Sequence, residues 1–167
     1  YTIPGGSEVA DTADVDYAYP SPTQVTMSDG SGNTVWNYDV TGNLLAEMKT
    51  INGQTFTTGY SYDGYGRLQT MTYPDGEAVT YGYNDVNQVN HMAGENVYLS
   101  NATYDTLGQP RTWNLGNGVE QTIIYDPNTF RPATASTQNP ALQDLTFAFD
   151  NVGRLDLWTD TSQGAPQ

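Results

Sequence analysis

The sequence predicts an all-β fold, an antiparallel array of β-hairpin repeats, and three observations support this prediction. A short motif recurs along the chain, in which an aromatic residue precedes Asp or Asn and a Gly or Asn follows three residues later. Between these motifs apolar and polar residues alternate with the period of two that is typical of strands. The 17 glycines and 9 prolines interrupt the chain too often for long helices.

The spacing of the motif indicates a repeat array. Its aromatic residues are separated by 24, 21, 21, 21 and 24 positions, and they are Tyr38, Tyr62, Tyr83, Tyr104, Tyr125 and Phe149. A fixed period in the twenties is typical of units that bury apolar surface only by stacking on their neighbours. We therefore predict about six repeat units over residues 17–160, with an irregular N-terminal tail at 1–16 and a C-terminal tail at 161–167.

Turn chemistry explains the motif. In a three-residue hairpin loop the first position suits Asp, whose carboxylate accepts backbone N–H groups, and the residue three later needs positive φ. Asp63 and Gly66 fill these positions, as do Asp39 and Gly42, Asp105 and Gly108, and Asp150 and Gly153. Asn84 and Asn87 replace them in one degenerate copy, where Asn tolerates the left-handed region. At Asp126 the following Pro127 and Asn128 predict a longer loop.

Arg67 and Arg154 follow their turn glycines directly. We expect their guanidinium groups to contact the preceding Asp and aromatic residue, as structural contacts rather than ligand-binding ones.

A second set of turns lies half a period away. Asn52-Gly53, Asp75-Gly76 and Asn117-Gly118 are the dipeptides favoured in two-residue hairpin loops, where both central residues have positive φ. Looser versions occur at residues 29–32 and 93–94. Thr23 to Met27 forms the first clear hairpin arm, and residues 17–22 resemble an eroded copy of the turn. The array is thus expected to be one continuous, curved antiparallel meander.

The charge excludes some partners. With 19 acidic and 5 basic residues the net charge is −14, which repels nucleic acid and anionic membrane surfaces. No apolar run approaches the roughly 20 residues that a transmembrane helix needs, so membrane insertion is not predicted. The absence of Cys removes disulfide and thiolate chemistry.

Catalytic and metal-binding groups are sparse, so we predict no enzyme, cofactor or metal site. His91 is the single histidine, and any Ser-His-Asp triad would depend on it. Carboxylates for a glycoside hydrolase, an alternative from a different class, would come from Asp16, Asp75, Glu77 or Asp144. Residues 29–33 offer oxygen ligands for calcium but lack the acidic repetition of calcium loops.

Exposed aromatic rings support a further alternative, a carbohydrate-binding or adhesion module. The candidates for stacking on sugar rings are Tyr65, Trp36, Trp113 and Trp158. Ordinary cross-strand packing explains most such residues in a sheet. Tyr65 is the strongest candidate because it lies inside a turn, where no core contact requires an aromatic ring.

The motifs YDGYGRL at 62–68, with MTYPDG at 71–76, and FDNVGRL at 149–155 resemble the YD repeat of Rhs proteins. This group includes bacterial polymorphic toxins, the cocoon-forming subunits of insecticidal toxin complexes, and teneurins. The resemblance covers residues 17–160. It implies a non-catalytic segment of a β-shell that encloses or displays a toxin or effector, in a secreted or cell-surface protein. The family's self-cleaving Asp-Pro-x-Gly-Leu-like sequence has no counterpart, since Asn128-Thr129 follow Asp126-Pro127.

The strand that begins at Arg154 is followed by no recognisable capping sequence. We therefore expect an array cut from a longer one, because finished arrays shield their terminal repeats. Its strand edges are expected to pair with the remaining repeats of a longer chain, or with a second copy through self-association.

Overall fold

The computed structural model describes residues 14–138 and 142–162, and these form fourteen β-strands without a helix. The all-β prediction is therefore confirmed. No helix long and apolar enough to cross a membrane occurs in these residues. The chain divides into two compact units, residues 1–77 and residues 78–167. Most of the predicted N-terminal tail and the end of the C-terminal tail lie outside the described residues.

The described part of the first unit contains six strands, and each pairs antiparallel with the next in chain order. They are β1 (Asp16–Ser21), β2 (Gln24–Asp29), β3 (Gly32–Tyr38), β4 (Leu44–Ile51), β5 (Gln54–Tyr62) and β6 (Leu68–Thr72). The predicted hairpin meander is thus present in this unit.

The second unit contains eight strands with the same consecutive antiparallel pairing. They are β7 (Ala78–Tyr83), β8 (Val89–Ala93), β9 (Val97–Tyr104), β10 (Pro110–Leu115), β11 (Glu120–Tyr125), β12 (Pro132–Gln138), β13 (Asp144–Phe149) and β14 (Leu155–Asp160).

Strand alternation gives each unit an aromatic face and a polar face. In the first unit Val25 pairs with Trp36, which pairs with Glu47, and the next row on that face pairs Lys49 with Phe56. The opposite face is rich in hydroxyl and amide side chains, although Val35 pairs with Met48 there, and the hydroxyl groups of Thr50 and Thr55 lie 2.9 Å apart. A single layer of sheet has no enclosed centre, and no described side chain is fully buried.

Among the described residues, the buried apolar side chains all belong to the second unit. They share the aromatic face, and they are Val79, Leu99, Ala102, Val119 and Ala135. Trp113 pairs with Ala102, and Ile123 pairs with Ala135. On the polar face the hydroxyl groups of Thr103 and Thr112 lie 2.6 Å apart. The apolar face therefore provides what core this unit has.

Two turn assignments from the sequence were wrong. Only Asn52-Gly53 has positive φ at both residues, 51° and 77°. At Asp75-Gly76 and Asn117-Gly118 only the glycine has positive φ. The first of these loops is closed by a hydrogen bond between Tyr73 and Glu77, and the second by one between Leu115 and Val119. These loops therefore have the same form as the Asp-x-x-Gly turns, in which a single left-handed residue suffices.

The sequence suggested that residues 17–22 form an eroded copy of the repeat turn. This prediction was wrong. Tyr17 pairs with Met27 in β1, and the chain reverses at Pro22-Thr23, after Ser21 and before Gln24. Every residue of β1 is exposed. Among the described residues β1 pairs only with β2, and a proline without an N–H group is tolerated in a strand with one unpaired side, which suits Pro20.

Candidate functional site: the repeat turns and their grooves

The recurrent Asp residues lie at chain reversals, and their carboxylates accept hydrogen bonds from the backbone of the turn. Asp63 Oδ1 accepts the backbone N–H groups of Tyr65 at 2.9 Å and Arg67 at 3.0 Å. The Gly66 N–H group donates to the Asp63 carbonyl at 2.9 Å, and Gly66 has φ of 77°. The same pair of side-chain bonds occurs at Asp39, Asp105, Asp150 and the amide Asn84.

Hydrogen bonds stabilise the charged form of Asp39 and Asp150. Backbone and side-chain N–H groups of Arg154 lower the pKa of Asp150, and the Arg154 Nε lies 2.8 Å from Asp150 Oδ2. Hydrogen bonds from Thr41 and Asn43 hold the pKa of Asp39 far below its usual range. These acids are thus occupied by their own turns, and a proton-transfer role would require those bonds to break.

Arg67 makes the contacts expected of it. Its side chain lies 2.7 Å from Asp63 Oδ2, and its guanidinium carbon lies 5.1 Å from the centre of the Tyr65 ring. Burial raises the pKa of Asp63, but hydrogen bonds from Arg67 and Tyr65 more than offset it, so the pKa is lowered. Arg154 makes the corresponding contact with Asp150, whereas the guanidinium over the Phe149 ring is that of Arg131.

The turn at Asp126 is one residue longer, as its sequence predicted. Asp126 Oδ1 accepts the N–H groups of Asn128 and Thr129, and the Phe130 N–H group donates to the Asp126 carbonyl at 2.8 Å. Phe130 occupies the left-handed position, with φ of 57°. A bulky non-glycine residue there is uncommon, and the extra contacts of this loop stabilise it.

A contact between neighbouring turns was not predicted from the sequence. In the second unit, two side chains that follow a left-handed residue, Gln109 and Arg131, reach the left-handed residue of the following turn. Gln109 Nε2 donates to the Phe130 carbonyl at 2.8 Å, and the guanidinium of Arg131 packs against Gly153. Arg131 also lies over the Phe149 ring, 5.5 Å from its centre. The available signal was the recurrence of long polar side chains, Gln or Arg, at one repeat position.

Tyrosine hydroxyl groups join repeats on the aromatic face. Tyr62 donates to the Leu44 carbonyl at 2.9 Å, and Tyr104 donates to the Val89 carbonyl at 2.5 Å. Each acceptor lies six residues after the aromatic residue of the preceding repeat. Burial, with the nearby charge of Asp105, raises the pKa of Tyr125. At Tyr62 and Tyr104 the first residue of the motif therefore joins its repeat to the preceding one.

The structure separates the four aromatic residues considered for sugar stacking. Tyr65 is 86% exposed and Trp158 is 57% exposed. Trp36 and Trp113 are half-buried, and Trp36 Nε1 donates to Glu47 Oε2 at 2.8 Å. Trp36 and Tyr65 belong to the first unit, whereas Trp113 and Trp158 belong to the second. Carbohydrate binding by these residues stays a prediction.

The candidate catalytic residues are also dispersed. His91 lies opposite Gly82 on the polar face of the second unit, and its Nδ1 is 3.5 Å from the Ser100 carbonyl. Asp16 lies in the first unit and Asp144 in the second, where its carboxylate accepts the Thr161 hydroxyl at 2.8 Å. The described residues contain no group of three acidic, His or Cys side chains that could hold a metal ion.

In the loop considered for calcium, the carboxylate is engaged by its own turn. Asp29 Oδ1 accepts the Ser31 N–H at 2.7 Å, the Ser31 hydroxyl at 2.6 Å and the Gly32 N–H at 3.2 Å. These hydrogen bonds lower the pKa of Asp29.

Open grooves lie between successive turns at the ends of the strands, on the side opposite the Asp-x-x-Gly turns. The groove of the first unit has a volume of about 490 Å³, and its lining includes Phe56, Tyr73, Asp75 and Glu77. A corresponding groove of about 370 Å³ in the second unit lies between the turns at residues 94–96 and 116–118. Asp75 and Glu77, nominated as catalytic carboxylates, thus share one groove.

Comparison with known proteins gives related sequences and folds. Residues 38–78 match the family described as RHS Repeat. Teneurin-4 of Homo sapiens is 26% identical over 87% of this chain and 6% of its own length, and teneurin-4 of Mus musculus gives the same values. The crystal structure of TcdB2-TccC3 has a TM-score of 0.73 at 21% identity, over 92% of this chain and 9% of that one.

A structure of the Photorhabdus luminescens Tc holotoxin pore has a TM-score of 0.71 at 20% identity, again over 92% of this chain and 9% of that one. The chain therefore spans less than a tenth of the length of these relatives. The family match over residues 38–78 and the similarity to teneurin-4 agree with the resemblance of the repeat motifs to Rhs/YD-repeat proteins, and the solved structures share the fold.

Proposed function

We propose that this chain is a non-catalytic stretch of a β-shell, in a secreted or cell-surface protein, whose shell encloses or displays a toxin or effector. The observation that carries the proposal is the use of the repeat carboxylates. They accept N–H groups of their own turns, and the same bonds form at Asn84, where no charge is present. The motif therefore serves chain reversal and stacking of hairpins.

The comparisons support this role. The fold is that of a stretch of TcdB2-TccC3, and one matching structure is that of a Tc holotoxin pore. The chain's strands continue from hairpin to hairpin within each unit, which suits a wall built from many repeats. Its partners are then the remaining repeats of a longer chain, with a toxin or effector as cargo.

The proposal is tested on the full-length product of the gene that contains this segment. Limited proteolysis is expected to spare an enclosed segment at protease concentrations that digest it after denaturation. Gly32→Val would open the wall, because a side chain at Gly32 collides with the Thr50 carbonyl and the residue has φ of 149°. The enclosed segment should then be cleaved faster. Equal cleavage of all segments in the unaltered protein would contradict enclosure.

Edge pairing gives a second test on the 167-residue chain itself. In the described part of the first unit β1 pairs only with β2, and Tyr19 in β1 is 74% exposed. We expect concentration-dependent association in light scattering, which Tyr19→Lys should weaken because a charge on an edge strand opposes pairing. A monodisperse monomer at high concentration would contradict edge pairing.

Carbohydrate recognition is a second candidate because Tyr65 is 86% exposed in a turn that needs no aromatic ring for its backbone contacts. A glycan array would show binding that Tyr65→Ala abolishes. Binding that no single aromatic substitution changes, or no binding at all, would favour the shell alone.

A further inference from the structure

The two Asn-Gly dipeptides of the chain lie in loops of different form. Asn52-Gly53 and Asn117-Gly118 are the two places where this sequence occurs, and all four residues are exposed. Asn52-Gly53 is a two-residue loop between β4 and β5, with φ of 51° and 77°. At the second site only Gly118 has positive φ, at 86°. One dipeptide therefore occurs in two local geometries at similar exposure to water.

An exposed asparagine that precedes a glycine can lose its side-chain amide without an enzyme. The backbone nitrogen of the glycine attacks Cγ of the asparagine and gives up its proton, a new C–N bond forms, and the bond from Cγ to Nδ2 breaks as ammonia leaves. Water then opens the cyclic succinimide at either carbonyl, which gives aspartate or isoaspartate. Glycine favours the attack because no Cβ stands beside its nitrogen. The reaction thus needs a glycine N–H group and an asparagine side chain that are not held by other bonds.

At the second site both reacting groups are held by the turn. The Gly118 N–H group donates to the Leu115 carbonyl at 3.0 Å. Asn117 Oδ1 accepts the Val119 N–H group at 3.1 Å. The glycine nitrogen must turn away from Leu115 to reach Cγ, and the amide must leave Val119 to receive it. Both hydrogen bonds therefore oppose the attack.

At the first site neither group is held. In the part of the chain that the structure describes, the Gly53 N–H group donates to no acceptor and the Asn52 side chain has no hydrogen-bond partner. A two-residue loop is closed by its flanking residues, here the pair Ile51 and Gln54, so the N–H group of its second residue points to solvent. A methyl group built on Gly53 meets no atom within 4 Å, which shows that the space around the loop is open.

We propose that Asn52 is a site of spontaneous deamidation, through a succinimide formed with the Gly53 nitrogen, and that the turn at Asn117 protects the other Asn-Gly sequence. The aspartate product keeps the loop, since Asp also tolerates the left-handed region, and adds a negative charge. The isoaspartate product inserts a CH₂ group into the backbone, which opposes the pairing of Ile51 with Gln54. The modification does not depend on the shell function.

The expected difference in rate follows from the two hydrogen bonds at Asn117. Each bond is equivalent to about two- to tenfold in an equilibrium constant, so Asn117 should react about five- to a hundredfold more slowly than Asn52 in the folded chain. The full chain is incubated in mildly alkaline buffer, digested with trypsin and analysed by mass spectrometry. Asn52 is the single asparagine of the peptide 50–67, so replacement of NH by O in its mass reports the reaction there. Fragment ions locate the same change at Asn117.

Two controls separate the effect of the turn from that of the sequence. In urea that unfolds the chain, the hydrogen bonds at Asn117 are lost and the two rates should become similar. Gly53→Ala places a methyl group beside the attacking nitrogen and should remove most of the mass change at Asn52. Gly118→Ala is the matched variant, because a methyl group there also meets no atom within 4 Å, and it should leave the rate at Asn52 unchanged.

Equal rates at the two sites in the folded chain would overturn the proposal, as would an unmodified Asn52 under conditions that modify the unfolded chain. A ratio of rates that is the same with and without urea would exclude protection by the turn. An unchanged rate in folded Gly53→Ala would exclude the succinimide. If that variant fails to fold, the comparison of folded and unfolded chain decides. None of these outcomes bears on the shell function.

Discussion

The contact of Arg131 with Gly153 predicts that alanine is less tolerated at Gly153 than at Gly118. The two glycines have φ of 87° and 86°, and each donates its N–H group to the residue that opens its turn. A methyl group at Gly118 meets no atom within 4 Å, whereas at Gly153 it collides with the guanidinium of Arg131. Comparing the two substitutions therefore separates the energetic cost of backbone strain from the cost of disturbing the contact between repeats.

The expected magnitudes follow from these geometries. A left-handed alanine costs about 1–2 kcal/mol, and reduced freedom of the unfolded chain offsets about 0.4–1 kcal/mol. Gly118→Ala should therefore lower the free energy of unfolding by about 1 kcal/mol. Gly153→Ala should cost about 0.5–1 kcal/mol more, because Arg131 must leave the Phe149 ring to make room.

Urea unfolding of the full chain measures both costs, and a double-mutant cycle assigns the difference. In an Arg131→Ala background, the cost of Gly153→Ala should fall to that of Gly118→Ala. Equal costs at the two glycines in the unaltered background, or an unchanged cost at Gly153 without Arg131, would refute a role for this contact in stability.

Three further substitutions test single contacts. Tyr104→Phe removes a hydroxyl bonded to the preceding repeat and should cost about 0.5–1.5 kcal/mol in urea unfolding. Tyr65→Phe, at an exposed ring, is the control and should cost almost nothing. Gly116→Ala places a methyl group against the Val97 carbonyl and should cost about 1–3 kcal/mol, so unchanged unfolding would exclude the close approach. Asp39→Asn should destabilise at pH 7. Because the folded pKa of Asp39 is lowered, its contribution is present above the unfolded pKa of about 3.9 and is lost as pH falls through the folded value. The difference from the unaltered chain should then shrink in acid, and a difference independent of pH would contradict this reasoning.

The sequence predicted the fold and the repeat turns because both depend on local chemistry. Alternation sets the strands, and an Asp with a glycine three residues later sets a turn within five residues, as at Asp63 and Gly66. The turns at Asp75-Gly76 and Asn117-Gly118 were misassigned because an Asn/Asp-Gly dipeptide fits two loop lengths. The register of the flanking strands decides between these lengths, and that register is not local.

Contacts between repeats were beyond the reach of local rules. The position of Arg131 over Gly153 depends on hairpins that lie side by side, with an extra residue in the turn at Asp126. Likewise, Phe56 and Tyr73 are separated in sequence but line one groove because β5 and β6 pair. The two rings come together because of the register between the strands, which the sequence predicted only in part.

A sheet of one layer must obtain its stability differently from a domain with two packed layers. No described side chain is fully buried, and the few buried apolar side chains all belong to the second unit. The remaining stabilisation comes from contacts between adjacent hairpins, such as the hydroxyl of Tyr104 on the Val89 carbonyl and the amide of Gln109 on the Phe130 carbonyl. These are nearest-neighbour contacts, which make stability a sum over adjacent repeats. At Gln109 and Arg131 the residue after the left-handed position then couples two adjacent hairpins, so a change there alters the stability of both.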